Sequence, residues 1–410
     1  MSATVALRDV CAFITKGATP TTYGLTWQKT GVPFLRSECV SDTGLDMRQS
    51  MYISVDADLV LRRSQVADGD ILMTITGNVG RVVRLTELRR ANINQHIARI
   101  RVKDPRVDPQ FVYHYLSQPG IREYYESIVT GQAYPQISLV QVRETRLPLL
   151  PLSEQRQIAE ALSDADGMIE SLERLITKKQ AIKQGMMQEL LTGRTRLPGF
   201  TDPWRSVRLR DSGSTYGGLT GKDKDDFGTG SASYVTFLEV MASARLLGQR
   251  LERVSVRPGE RQNQVKRGDI LFNGSSETPE EVALAAVVDY DPAPQTYLNS
   301  FCFGYRLADA RVVDPLYLAY FFRSGGGRRL IASLAQGATR YNISKTKLLE
   351  LSPSLPRLDE QRAIVGVLRT VEAEIELMDA RLQKARLIKQ GMMQELLTGR
   401  TRLPVREAVA

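Results

Sequence analysis

The sequence is poor in cysteine and histidine, and this scarcity excludes several kinds of site. Its 410 residues include three cysteines, Cys11, Cys39 and Cys302, and two histidines, His96 and His114. Three widely spaced cysteines exclude a disulfide framework and fit a reducing cytoplasm. With so few such ligands, no Cys/His zinc cluster can be assembled at ligand spacing.

Long apolar segments are also missing. No uninterrupted apolar run is longer than the seven residues of 282–288, whereas a membrane-spanning helix needs about 20. No secretory signal is visible at the N-terminus, so we expect a cytoplasmic protein without a membrane partner. What is present is ordinary globular chemistry, with 42% apolar and 25% charged residues, and a length that fits two or three domains. The net charge of +9 favours a polyanionic partner such as nucleic acid.

Motifs that would carry catalysis are weak. The Gly-rich segments 217–222 and 227–230 lack the strand, helix and spacing of a nucleotide or cofactor loop, so we reject both. The segment 314–317, Asp-Pro-Leu-Tyr, resembles the signature of amino-methyltransferases. It and its counterpart Asp108-Pro109 are better explained as helix starts, where an Asp N-cap followed by Pro is common. We expect no catalytic, cofactor-binding or metal-binding residue in this chain.

An internal repeat is the strongest feature of the sequence. Residues 183–198 read KQGMMQELLTGRTRLP, and the same sixteen residues recur as 389–404. The same offset of 206 residues relates shorter matches upstream, such as Asp108-Pro109 with Asp314-Pro315. The chain is therefore two copies of one unit of about 200 residues, with similar ends and divergent beginnings.

The repeated ends predict two long helices. Apolar residues recur every 3.5 residues over five heptads, which is typical of a coiled-coil seam. Ser153 and Asp359 are expected as N-caps and Gly193 and Gly399 as terminating glycines, which gives helices of about 37 residues. We prefer antiparallel pairing of the two helices, and the alternative is two unrelated surface helices. The predicted seam consists of Ile158, Leu162, Ile169, Leu172, Ile176, Met186, Leu190, Ile364, Leu368, Val371, Ile375, Met378, Leu382, Met392 and Leu396.

The divergent beginnings, 1–150 and 200–356, predict two heads of mixed α/β structure, so the fold class is α+β. Polar, basic and aromatic residues cluster in loops at matching places of both heads. Such side chains read base edges or hold phosphates, although any single loop could simply be solvated. The candidates are Lys16, Thr19, Tyr23, Arg36, Thr76, Asn78, Arg81, Asn94, Gln95, His96, Gln132, Tyr134 and Gln136 in the first head, and Thr220, Lys222, Asn273, Ser275, Asn299, Arg340, Tyr341 and Asn342 in the second.

The order head, helix, head, helix resembles the specificity (S) subunit of type I restriction-modification enzymes. The resemblance covers nearly the whole chain. It rests on the Leu-Pro-x-x-Pro-Leu-x-Glu-Gln segment 147–155 and its looser copy 355–361, the Gly-x5-Ile-Ser elements, and the Gln-x-Leu-Leu-Thr-Gly endings.

The resemblance implies a non-catalytic subunit. Its target recognition domains, 1–150 and 200–356, would each read one half of a gapped site in double-stranded DNA, and its helical spacers, 151–199 and 357–410, would set the gap. It implies docking of two methyltransferase subunits, which carry S-adenosylmethionine, and of restriction subunits. The alternative is a coiled-coil adaptor whose two heads bind proteins or peptides.

Overall fold

A computed structural model describes residues 3–131, 134–334, 337 and 341–403. The chain divides into two compact units. Unit 1 consists of Met1–Glu173 together with Ala380–Ala410, and unit 2 consists of Arg174–Asp379. Each unit is therefore built from a head and from parts of two separate helical segments.

The strands of unit 1 are short. Along the chain they are β1 (Thr4–Ala6), β2 (Cys11–Lys16), β3 (Val32–Leu35), β4 (Val40–Ser41), β5 (Gly44–Leu45), β6 (Met51–Ile53), β7 (Gln65–Val66), β8 (Ile71–Thr74), β9 (Val82–Arg84), β10 (Ala91–Ile93), β11 (Ile97–Val102) and β12 (Arg146–Pro148). One sheet has the order β2-β11-β8-β9 and is antiparallel throughout. A second has the order β6-β3-β10-β7, in which β3 and β10 are parallel. The remaining strands form the antiparallel pairs β1–β12 and β4–β5.

The centre of unit 1 is strand β8, all four residues of which are buried. Just before it, the buried carboxylate of Asp70 accepts hydrogen bonds from Arg99 Nε at 2.8 Å, Arg101 Nε at 2.5 Å and the Ala67 N–H at 2.9 Å. A buried carboxylate is costly unless it is paired and hydrogen-bonded. These contacts therefore fix the turn that leads into β8 against strand β11.

The helices of unit 1 carry the chain across its sheets. They are α1 (Leu7–Val10), α2 (Val55–Val60), α3 (Pro109–Leu116), α4 (Pro119–Ser127), α5 (Leu139–Arg143) and the first part of α6 (Leu152–Leu190), together with the last part of α12 (Leu358–Leu396). Asp108 is the N-cap of α3, where its carboxylate accepts the N–H groups of Gln110 and Phe111, each at 2.9 Å. The interpretation of Asp108-Pro109 as a helix start is confirmed.

Unit 2 has more extended sheets. Its strands are β13 (Arg205–Ser206), β14 (Gly213–Gly217), β15 (Phe227–Val235), β16 (Arg245–Leu246), β17 (Leu251–Val254), β18 (Ile270–Asn273), β19 (Ser275–Ser276), β20 (Ala285–Val288), β21 (Thr296–Leu298), β22 (Cys302–Leu307), β23 (Tyr341–Asn342) and β24 (Ser354–Leu355). The sheets have the orders β14-β22-β18-β20-β16 and β17-β15-β21, and β13–β24 and β19–β23 are two-stranded. The pairs β16–β20 and β15–β21 are parallel.

Two local structures of unit 1 recur in unit 2, the Asp-capped helix start and the buried Asp before the central strand. Its helices are α7 (Leu209–Ser212), α8 (Phe237–Ala242), α9 (Pro315–Arg323), α10 (Gly325–Ala332), α11 (Lys345–Leu349) and the first part of α12 (Leu358–Leu396), together with the last part of α6. Asp314 caps α9 as Asp108 caps α3. Asp269 precedes the fully buried β18 and accepts hydrogen bonds from Arg306 at 2.6 and 2.7 Å. The same carboxylate accepts the Tyr216 hydroxyl at 2.6 Å, and burial together with this negative charge raises the pKa of Tyr216.

The long helices α6 and α12 each have 39 residues, or about 58 Å at 1.5 Å per residue. They start two residues earlier than expected. The N-cap prediction for Ser153 and Asp359 is therefore wrong, because both residues lie inside the first turn. Beyond the helix ends, Gly193 and Gly399 adopt φ of +71° and +70°, a conformation that favours glycine.

A buried glutamine near the start of each long helix holds the head to that helix. Gln155 accepts the Asp108 N–H at 2.9 Å and donates to the carbonyl oxygens of Arg106 and Leu150 at 2.9 and 2.8 Å. Gln361, 206 residues later, makes the matching contacts in unit 2 with the Asp314 N–H at 2.8 Å and the carbonyl oxygens of Val312 and Pro356 at 3.4 and 2.9 Å.

Two kinds of feature are missing from the described part of the chain. Among residues 3–131, 134–334, 337 and 341–403, no helix is long and apolar enough to cross a membrane. The same residues contain no group of three or more His, Cys, Asp or Glu side chains placed to hold a metal ion.

Candidate nucleic-acid interface

Three loops of unit 1 that carry candidate residues are joined by backbone hydrogen bonds. The Ile75 N–H donates to the His96 carbonyl at 2.9 Å, and the Ile137 N–H donates to the Ile75 carbonyl at 3.0 Å. Ile75 directly follows β8 and His96 directly precedes β11. These contacts bring the loops 75–81, 94–96 and 134–137 together at one end of the antiparallel sheet.

The same two hydrogen bonds recur in unit 2. The Gly274 N–H donates to the Phe301 carbonyl at 2.8 Å, and the Ile343 N–H donates to the Gly274 carbonyl at 3.1 Å. Gly274 follows β18 and Phe301 precedes β22. Each head therefore presents a surface of three connected loops at the corresponding sheet end, and we call these surfaces loop surface 1 and loop surface 2.

A fourth loop reaches each surface through a close backbone approach. A Cβ at Gly17 would lie 1.9 Å from the Ile93 carbonyl oxygen, and a Cβ at Gly218 would lie 2.0 Å from that of Asn299. No other residue fits at such distances without moving the backbone. The glycines place the segments that carry Thr19 and Thr220 beside their loop surfaces.

On loop surface 1, four candidate side chains form a connected polar chain. Thr19 Oγ1 donates to Gln95 Oε1, and Gln95 Nε2 lies 2.9 Å from His96 Nε2. An amide nitrogen can only donate, so His96 Nε2 is the acceptor in this contact. The His96 ring meets the edge of Tyr134, with centroids 6.0 Å apart. Tyr134 is 60% exposed and is therefore available for contact with a ligand.

Arg81 and Asn94 have structural partners. Arg81 lies 3.4 Å from Asp42, which also binds Arg122 at 2.8 Å. Asn94 is buried, and its side-chain oxygen accepts the His96 N–H at 3.1 Å. The prediction of Asn94 as a direct contact is corrected on this geometry, because its side chain braces the loop from inside.

Among the other candidates of unit 1, Thr76, Asn78 and Gln136 lie on the loops of loop surface 1. Thr76 is buried and bridges by its backbone to Gln136, and Arg36 donates to the Gln49 carbonyl at 3.3 Å. Gln132 lies outside the described residues. The exposed members are Lys16, Tyr23, Asn78 and Gln136.

Two candidates of unit 2 are used inside the fold, which corrects their prediction as DNA contacts. Asn273 is fully buried, and its side chain binds the carbonyls of Ser275 and Glu281 and the Leu284 N–H. The Lys222 side chain is 3% exposed and pairs with Glu260 at 2.7 Å. Hydrogen bonds from Lys222 and Gln262 lower the pKa of Glu260 to about 2.

The remaining candidates of unit 2 that the structure describes lie on or beside loop surface 2. Ser275 is buried and pairs in β19–β23 with Asn342, which is exposed. Tyr341 is half-buried, and Thr220 is exposed and held by reciprocal bonds to Gln262. Arg340 lies outside the described residues.

Phe301 is a surface residue that the sequence analysis missed. It is 60% exposed, and its N–H donates to the Asn299 side-chain oxygen at 2.9 Å. A phenylalanine just before an apolar strand is easily taken for a core residue. The offset of 206 residues pairs Phe301 with Gln95, so the repeat gave no direct signal. Its equivalence with His96 follows from the structure, in which each residue directly precedes the matching strand.

Within each unit, the α6 and α12 segments are linked by ion pairs. In unit 1, Asp166 binds Lys389 at 2.5 Å and Glu173 binds Arg386 at 2.6 Å. In unit 2, Lys183 binds Glu372 at 2.6 Å and Lys179 binds Glu374 at 2.5 Å. All fifteen predicted seam residues are buried or half-buried. The sequence analysis left out Met187, Leu191, Met393 and Leu397, which are also buried.

A notch lies between head and helices in each unit. The notch of unit 1 has a volume of about 840 Å³ and that of unit 2 about 320 Å³. The helix residues that line both are related by the offset of 206. They are Asp166, Ile169, Glu170, Arg386, Lys389, Gln390 and Met393 in unit 1, and Glu372, Ile375, Glu376, Gln180, Lys183, Gln184 and Met187 in unit 2.

In each unit, a buried side chain from the head lies next to one carboxylate of the notch, Asp166 in unit 1 and Glu372 in unit 2. In unit 1 it is His114, whose pKa is lowered to about 3 by burial and by the charge of Lys389. His114 is therefore neutral, and its ring lies 3.9 Å from Asp166 and 3.0 Å from Ser163 Oγ. In unit 2 the matching residue is Tyr320, whose hydroxyl donates to Glu372.

Comparison with known proteins gives concordant matches. Residues 2–184 match the model of the type I restriction modification DNA specificity domain. The chain is 24% identical to a putative type I restriction enzyme MjaX specificity subunit of Methanocaldococcus jannaschii, over 97% of this chain and 93% of that protein. It is 26% identical to the EcoBI specificity subunit of Escherichia coli, over 43% of this chain and 37% of that protein.

Solved structures share the fold. A chain from a study of complex assembly and conformational transition of the type I R-M system matches with a TM-score of 0.59 at 18% identity, over 96% of this chain and 97% of that chain. The S subunit of a type I restriction-modification system from M. genitalium also gives 0.59, at 13% identity, over 97% of this chain and 96% of that chain.

Proposed function

We propose that this chain is the non-catalytic DNA-recognition subunit of a type I restriction-modification system. Two findings support the proposal: residues 2–184 match the model of the type I restriction modification DNA specificity domain, and nearly the whole chain is similar to a type I specificity subunit. Residues 1–150 and 200–356 are the two target recognition domains. Each reads one half of a gapped site in double-stranded DNA.

The observation that carries this proposal is the duplication of the loop surfaces. Both are tied by the same two backbone hydrogen bonds at the same sheet end, but they present different side chains. Loop surface 1 presents an imidazole and a phenol at His96 and Tyr134, whereas loop surface 2 presents the phenyl ring of Phe301. A common frame with different contact groups is what the reading of two different half-sites requires.

The helical segments 151–199 and 357–410 act as the spacer between the two readers. We infer that α6 and α12 pair as an antiparallel coiled coil. The ion pairs support this pairing because their order is reversed between the two helices. Asp166 binds Lys389, and Glu173, which comes later on α6, binds Arg386, which comes earlier on α12. A rigid pair of helices fixes the distance between the two heads. Because one turn of B-DNA spans about 34 Å, that distance fixes the number of base pairs in the gap between the half-sites.

Two methyltransferase subunits dock on the helices, one at each notch. The support is that the two notches use helix residues at equivalent repeat positions. Apolar side chains are also exposed at equivalent positions beside them, Ile182 at 42% and Ile388 at 51%. Such exposed residues favour a protein partner. The methyltransferase subunits supply S-adenosylmethionine and the chemistry, restriction subunits complete the assembly, and the complex works on cytoplasmic DNA.

The test is reconstitution with the methyltransferase subunit. Methylated adenines are mapped in DNA treated with this chain, with the methyltransferase, and with both. We expect sequence-specific methylation of a gapped site from the mixture alone. Methylation by this chain in isolation, or the same methylation pattern from the methyltransferase without it, would contradict the proposal.

Half-site assignment follows from single variants. Gln95→Ala alters the contact group of loop surface 1 and should change one half of the methylated site, and Asn342→Ala should change the other half. A base-edge contact is worth about 1–3 kcal/mol of discrimination. The adaptor alternative predicts no steep dependence of DNA binding on salt, whereas neutralised phosphates make log K fall steeply with log salt.

A further inference from the structure

Phe301 combines strong exposure with a fixed backbone. It is 60% exposed in the loop between β21 and β22. Its N–H is held by the Asn299 side chain at 2.9 Å, and its carbonyl accepts the Gly274 N–H at 2.8 Å. A large apolar side chain is thus presented to solvent from a backbone tied on both sides.

The corresponding position of unit 1 carries different chemistry. His96 accepts the Ile75 N–H through its carbonyl, as Phe301 accepts that of Gly274. Its imidazole is bound by Gln95 and contacts Tyr134. At this shared place, loop surface 1 offers polar atoms and loop surface 2 offers a ring that can neither donate nor accept a hydrogen bond. The difference lies in the contact group, while the backbone frame is the same.

We propose that Phe301 is a specificity-determining residue of the second target recognition domain and contacts the C5-methyl group of a thymine in its half-site. The proposal rests on the proposed function. In the major groove the thymine methyl is the apolar feature of the base edges, and apolar side chains, phenylalanine among them, recognise it. Burying the exposed ring against a methyl removes apolar surface of both partners from water.

The first experiment maps methylated adenines after reconstitution with wild-type protein, Phe301→Ala and Phe301→Leu. We expect Phe301→Ala to accept other bases at one T·A position of one half-site, with the other half unchanged. Phe301→Leu keeps an apolar contact and should retain the preference in part. The matched control is Val312→Ala, because Val312 is 54% exposed but follows the far end of β22. It should leave the motif unchanged.

The second experiment removes the methyl group from the DNA. Duplexes carry uracil in place of thymine at each position of the mapped half-site, and binding of the complex is measured. Loss of one buried methyl is expected to weaken wild-type binding about fourfold at a single position. Phe301→Ala should bind the uracil and thymine duplexes equally at that position and keep its other preferences.

The outcomes distinguish an error in the role of Phe301 from an error in the proposed function of the whole chain. If Phe301→Ala methylates the wild-type motif and no uracil substitution in the second half-site weakens wild-type binding, the assignment of Phe301 is wrong while the proposed function stands. If the mixture of subunits shows no sequence-specific methylation, both are wrong. Because Phe301 is exposed, the variant should keep the thermal midpoint of the wild-type protein, which calorimetry checks.

Discussion

The buried glutamines at the starts of α6 and α12 allow a sharp test of how heads are fixed to helices. Gln155 makes three hydrogen bonds with buried or half-buried backbone groups near the start of α6. Gln155→Ala removes all three and leaves their partners unsatisfied, at about 1 kcal/mol each. We therefore expect the free energy of unfolding of unit 1 to fall by about 3 kcal/mol. With an m-value of about 2–3 kcal/mol/M in urea, the midpoint should drop by about 1 M.

The chain offers one fluorescent reporter in each unit. Its two tryptophans are Trp27, in unit 1, and Trp204, in unit 2. In a Trp204→Phe background, fluorescence follows unit 1, and in a Trp27→Phe background it follows unit 2. Gln155→Ala should shift the Trp27 transition, and Gln361→Ala should shift the Trp204 transition by a similar amount because its contacts match.

Two further variants refine this prediction. Gln155→Glu keeps the oxygen that accepts the Asp108 N–H. It replaces the donating amide nitrogen by a second carboxylate oxygen, which faces two carbonyl oxygens and cannot donate to them when ionised. It should destabilise unit 1 at pH 7 and recover stability as the pH falls and the carboxyl becomes protonated. Arg156→Ala, at an exposed neighbour in the same turn, should change the stability by less than about 0.5 kcal/mol. A loss below about 1 kcal/mol in both glutamine-to-alanine variants would refute the reasoning.

Three other predictions follow from the helices and from the loops of unit 2. Four residues inserted in both helices, after Glu173 and after Asp379, lengthen each helix by about 6 Å and nearly preserve the direction of the seam. Methylome mapping should therefore show a gap about 2 bp longer with unchanged half-sites. Two residues inserted at both places rotate the seam by about 200° and should abolish site-specific methylation. Ile182→Glu or Ile388→Glu should each reduce the methyltransferase stoichiometry from two to one in native mass spectrometry, and the double variant should bind none. The pKa of Glu260 is lowered to about 2 from 4.5, so its stabilising pair with Lys222 is complete above pH 4.5 and is lost as the pH falls towards 2. An NMR titration in which Glu260 protonates near pH 4.5 would contradict that pairing.

The repeat carried much of the fold prediction because duplicated segments share backbone geometry. Asp108 and Asp314 cap helices as their Asp-Pro spacing indicated, and the 3.5-residue period located two helices to within a few residues. Their starts were misplaced, because the first turns begin at Leu152 and Leu358, one residue before the polar residue that looked like a cap.

The candidate site was harder to predict because polarity does not reveal the direction of a side chain. Lys222 and Asn273 have the composition of ligand-binding residues, but their partners Glu260 and Glu281 come from elsewhere in the chain. No local pattern records such pairings. Phe301 was missed for the opposite reason, since apolar residues beside a strand are usually buried, and its exposure depends on how three loops meet.

The division of the chain into units has a consequence for biosynthesis. Unit 2 is one continuous segment, Arg174–Asp379, whereas unit 1 needs Ala380–Ala410. Met393, Leu396 and Leu397 complete the apolar cluster that contains Phe111, Ile158 and Leu162. On the ribosome, this cluster therefore stays incomplete until residues 393–397 have been made, whereas all of unit 2 has been synthesised by then. A nascent chain that has not reached Met393 leaves the apolar side chains of Phe111, Ile158 and Leu162 open to chaperones and proteases.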